Sequence, residues 1–142
     1  FSDSIPGAAD QAETYLKAVA QGVTNAGLPV ALQMDKLVMV SGIRVQKVPC
    51  LVAEPTEKRL RFYKTAHYAE PSGAMLRLGW YLVGGDRASR RVLGIGGASE
   101  RDADIVMQIA ESIHIYAVQP AMQQIVDGRS DGRKGSGGFL GL

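Results

Sequence analysis

The groups with which this chain could do chemistry are few: two histidines, one cysteine and fourteen acidic side chains in 142 residues. An imidazole titrates near neutrality and ligates metals, so His67 and His114 are the first candidates for acid–base or metal chemistry. No Cys-x-x-Cys, His-x-x-x-His or His-Glu-x-x-His arrangement accompanies them, and His114 sits beside an apolar helix stripe where burial explains it. Cys50 lies between Pro49 and Leu51 with Lys47 as the nearest charge, a setting for a small core residue rather than an activated thiolate. Glu100, Asp102 and Asp104 cluster where a helix should begin, and there they complement its positive end.

Two glycine-rich stretches resemble phosphate cradles only in part. Gly94-Ile95-Gly96 opens like a dinucleotide fingerprint, but Ser99 stands where the third glycine belongs. Gly132-Arg133-Lys134-Gly135-Ser136 holds the residue types of a phosphate loop in the wrong order. No cofactor and no metal site is therefore expected, and the reading leans away from an enzyme.

The basic residues are better placed to act. Arg87, Arg90 and Arg91 crowd one short segment, and Lys58, Arg59, Arg61, Lys64 and Arg77 fall on or near neighbouring strands. Such a patch suits an acidic protein surface, while nucleic acid is the lesser expectation because no RNA-binding or zinc-finger pattern accompanies it. Tyr63, Arg77, Trp80 and Tyr81 are the residues expected to line a small-ligand pocket between sheet and helix, if one exists.

The elements that must position these groups follow from apolar spacing. Residues 9–26 repeat apolar side chains at Tyr15, Val19 and Val23, which predicts a helix ended by Gly27. Strands are expected at 30–33, 37–46, 50–53, 59–67 and 76–83, with Pro49 as a separator and residues 2–9 as a polar lead-in. Residues 90–95 are expected to pair with 76–83 as a hairpin, and Ser99 to cap a helix running to about Val118 along Val106, Ile109, Ile113 and Tyr116. Pro120 either starts a second helix or interrupts the first.

These elements imply an α+β fold, a mainly antiparallel curved sheet packed against N-terminal and C-terminal helices. Residues 1–127 form one domain, and residues 128–142 form a flexible Gly-rich tail ending in Phe139-Leu140-Gly141-Leu142. A net charge of +2 is too small to imply nucleic acid by itself, and no apolar run reaches the roughly 20 residues of a membrane-spanning helix. The start at Phe1 fits a processed exported or organellar protein and fits truncation equally.

The function expected from this set is a noncatalytic protein-interaction or assembly module. Its partner is another protein or a second copy of the chain, bound through Arg87, Arg90 and Arg91 and through Phe139, Leu140 and Leu142. The alternative is a small-ligand-binding domain, or an enzyme, built on the pocket residues.

Overall fold

A computed structural model describes residues 1–84 and 100–137. The first helix, α1 (Ala12–Ala26), follows a short 3₁₀ turn at Ala9–Gln11 and buries Tyr15, Leu16, Val19 and Val23, one face at three- and four-residue steps. Each such side chain contributes about 2 kcal/mol on leaving water. The helix stops because Gly27 adopts φ 63°, and its N–H reaches back to the Thr24 carbonyl at 3.1 Å.

Five strands make one antiparallel sheet: β1 (Ser2–Pro6), β2 (Val30–Ser41), β3 (Arg44–Pro55), β4 (Tyr63–Ser72) and β5 (Met75–Gly84), in the order β1-β5-β4-β3-β2. The chain is thus an α+β fold with an open antiparallel sheet and helices at both ends. Two hairpins build most of it, and each turns on two residues. Gly42-Ile43 lies between paired Ser41 and Arg44, and Gly73-Ala74 lies between paired Ser72 and Met75. The glycine comes first in each turn with positive φ, 63° and 60°, and no other residue type has positive φ among the described residues. That is the turn whose twist suits antiparallel strands.

Four strand expectations are corrected, the first being 59–67, where Lys58–Leu60 forms a 3₁₀ turn and the strand begins only at Tyr63. Residues 37–46 are not one strand but the two sides of the β2–β3 hairpin, folded back at Gly42. Pro49 lies inside β3 rather than separating two strands. The polar lead-in is β1, which pairs with β5 from Ser2↔Gly79 to Pro6↔Met75 and buries Ile5. The partner of β5 in its hairpin is β4, and residues 90–95 lie outside the described part of the chain.

Cross-strand partners share a face, so the register sorts the side chains. Leu51, Ala53, Ala69, Leu76 and Leu78 meet α1 in the main core, together with Val118, Ala121 and Ile125 of the C-terminal helical segment. That segment runs as α2 (Glu100–Ile113), one π-helical turn (His114–Val118) and α3 (Gln119–Gly137). Pro120 therefore stands at the start of α3, directly after the π-helical turn, without ending the helical path. A smaller cluster of Leu60, Tyr63 and Val106 fixes α2 over the start of β4. No helix among the described residues is long and apolar enough to cross a membrane.

Candidate functional site

The expected partner-binding residues Arg87, Arg90, Arg91, Phe139, Leu140 and Leu142 all lie outside the described residues. The expected pocket residues are described, and they divide between the two faces of the sheet. Tyr63 is buried in the cluster under α2, and Trp80 packs against the main core. Arg77 and Tyr81 alternate with Trp80 along β5, so they point to the opposite face, where both are exposed. The Tyr81 ring lies 6.3 Å from that of Tyr68.

On the helix-covered face, Trp80 stands between the two histidines. Its Nε1–H donates to His114 Nδ1 at 3.0 Å, and its ring lies 6.1 Å from His67. His67 is 1% exposed and lies 3.0 Å from Thr65 Oγ1 through Nε2, while Nδ1 has no hydrogen-bond partner among the described residues. Burial, with the nearby His114 second, pushes the His67 imidazole down to about 4. Burial likewise lowers His114 from the ordinary imidazole range. Burial thus favours the neutral form of both rings near pH 7.

Cys50 is buried on the other face, paired across the sheet with Asp35 and Tyr68, and burial raises its thiol above the usual value. Among the described residues, no group of three His, Cys, Asp or Glu is arranged to hold a metal ion. The basic residues before β4 are partly engaged within the molecule: Arg59 Nε lies 2.6 Å from Glu57 Oε1 and 3.6 Å from Asp102 Oδ1, which links the 3₁₀ turn at Lys58–Leu60 to α2.

Among the described residues, the outer part of the β2–β3 hairpin carries the most exposed aliphatic side chains. β3 pairs with β2 along its whole length, yet with β4 only from Cys50 to Ala53. Beyond that point the hairpin continues as a two-stranded arm, and a cleft of about 480 Å³ opens between Arg44, Val45 and Gln46 on the arm and Glu70, Ser72 and Arg77 on the neighbouring hairpin. The arm carries Val38 at 60%, Val40 at 69%, Ile43 at 103% and Val45 at 68% exposure. Register places Lys36, Val38 and Val40 of β2 beside Pro49, Lys47 and Val45 of β3 on one face. Between Asp35 and Glu54 there is no acidic residue, whereas Lys36, Arg44 and Lys47 are basic.

The arm escaped the sequence reading because residues 37–46 are nearly all strand formers. The Ser41-Gly42 pair inside that run was the available signal, since Ser-Gly commonly marks a turn. Comparison of the chain with protein-family models, with curated proteins and with solved structures gives no match.

Proposed function

We propose that this chain is a noncatalytic protein-interaction or assembly module, and that the β2–β3 arm is its binding element. The observation that carries the reading is the arm itself: four aliphatic side chains more than half exposed on a hairpin that has left the sheet. Contiguous exposed apolar surface of this kind disfavours a free solvated state and marks contact surfaces. The basic segment with Arg87, Arg90 and Arg91 and the terminal Phe139, Leu140 and Leu142 belong to the same proposal on sequence grounds.

The small-ligand alternative has less support. Tyr63 and Trp80 are separated by the sheet from Arg77 and Tyr81, so the four residues do not surround one cavity.

The test is site-specific photocrosslinking of the full chain in its native cells. A photoreactive residue in place of Ile43 is expected to trap a discrete protein adduct, and one in place of the exposed Asp104 on α2 is not. Equal labelling at the two positions, or no adduct at Ile43, overturns the proposal for the arm.

A further inference from the structure

We infer that the outer edge of β2 receives an extended protein segment that carries aliphatic and acidic side chains on one and the same face, added to the sheet as a sixth, antiparallel strand. This deepens the proposed function and rests on it. β2 is a terminal strand of the sheet, so along Val30–Ser41 the backbone groups turned away from β3 have no strand partner among the described residues. Edge strands that must stay single are usually guarded by proline, bulges or several charges. β2 has no proline, and its only charged residues, Asp35 and Lys36, precede the exposed valines. A two-stranded ribbon is also marginal in water by itself, and a third strand with an apolar face removes that weakness.

The side chains select the class of partner. Lys36 and Lys47 share a face with Val38 and Val40 and have no ion pair among the described residues, and that face of the arm carries no carboxylate. A strand laid beside β2 would set the side chains of one of its faces next to Lys36, Val38 and Val40, so aliphatic residues on that face would meet the valines and carboxylates among them would come within reach of Lys36 and Lys47. A second copy would bring the same two lysines against these. A bilayer would leave the β2 backbone edge unsatisfied in hydrocarbon and would have to accept Arg44 and Gln46 beside the tip.

The experiment is fluorescence anisotropy of the full chain with a labelled short peptide in which valine and glutamate take turns at every second position, with threonine between them, so that both lie on one face. Its controls are the same peptide with lysine for glutamate, and one methylated on alternate backbone nitrogens. The glutamate peptide is expected to bind roughly tenfold more tightly than the lysine peptide. Backbone methylation on the pairing side is expected to abolish binding, and the Lys36→Glu/Lys47→Glu variant to reverse the charge preference. Circular dichroism checks the fold of that variant, and the methylated peptide tests the unmodified chain whatever the variant does.

Equal binding of the two charge types, or no binding of either, overturns the inference. So does association with phosphatidylserine vesicles without peptide binding, or self-association that the peptide does not displace. If crosslinking at Ile43 persists while the peptide preference fails, only the strand-partner inference falls. Loss of both removes the arm as a binding element.

Discussion

Trp80 Nε1 and His114 Nδ1, 3.0 Å apart, join β5 to the π-helical turn between α2 and α3. An indole N–H only donates, so His114 Nδ1 must accept, which fixes the neutral tautomer with its proton on Nε2. Protonation of Nδ1 removes the acceptor, so this link exists only while His114 is neutral. Trp80 is the one tryptophan in the chain and reports on the link directly. Its emission is expected to titrate with a midpoint below the ordinary imidazole value of about 6.5, since burial lowers His114. His114→Gln should remove that transition. If it survives unchanged in the variant, the hydrogen bond is not what the fluorescence senses.

His67 gives the fold a separate dependence on acid. In the unfolded chain its imidazole titrates at about 6.5, and in the folded chain at about 4. Between those values the unfolded state binds a proton that the folded state does not. The contribution is therefore complete above about pH 6.5, declines as pH falls toward 4, and changes no further below that. The span corresponds to a loss on the order of 3 kcal/mol. Urea unfolding followed from pH 7.5 to 4.5 should show the decline, and His67→Gln should flatten it. A native chain whose midpoint does not move across this window contradicts a neutral, buried His67.

Gly22 sets how closely α1 approaches the π-helical turn. A Cβ placed there would lie 2.8 Å from Ala117 Cα and 3.0 Å from the Tyr116 carbonyl oxygen, and backbone cannot rotate aside as a side chain can. Gly22→Ala gains about 1 kcal/mol of helix propensity. Overpacking of a tight contact costs about 1–3 kcal/mol, so the net expectation is destabilisation. The denaturation midpoint decides the sign, and a more stable variant would mean that the two helices separate freely.

The first helix and β5 were readable because each carries its own apolar period: Tyr15, Leu16, Val19 and Val23 in α1, and Leu76, Leu78 and Trp80 in β5. β1 was not, because Ser2-Asp3-Ser4-Ile5-Pro6 has one buried side chain and becomes a strand only when β5, more than seventy residues later, offers its edge. Local propensity holds no record of that pairing. The candidate site was partly legible for a different reason. Trp80 and Tyr81 are consecutive in a strand, and alternation alone puts them on opposite faces. Which face the helices cover depended on the packing of α1 and could not be read from β5.

Cys50 offers a test of the opposite face. It is 1% exposed, and burial raises its thiol, so the thiolate that reacts with alkylating reagents is scarce and hidden. Alkylation of the native chain should be slow and should accelerate with urea in step with global unfolding. Rapid labelling without denaturant would show that the β2–β3 sheet region opens on its own, and the register of Cys50 with Asp35 would then be transient.

The tip of the arm should separate stability from association. Val40 and Ile43 are 69% and 103% exposed, so replacing either with aspartate removes almost no buried area. Surface changes of that kind shift stability by less than about 0.5 kcal/mol. The same changes put a carboxylate among Lys36, Arg44 and Lys47 and break the aliphatic face, so any partner held there should be lost. Val40→Asp and Ile43→Asp are thus expected to unfold at the native urea midpoint while losing the adduct formed in crosslinking, with the photoreactive group moved to Val38. A large fall in the midpoint would show that the valines support the fold itself. Undiminished crosslinking at full stability would place the contact elsewhere on the chain.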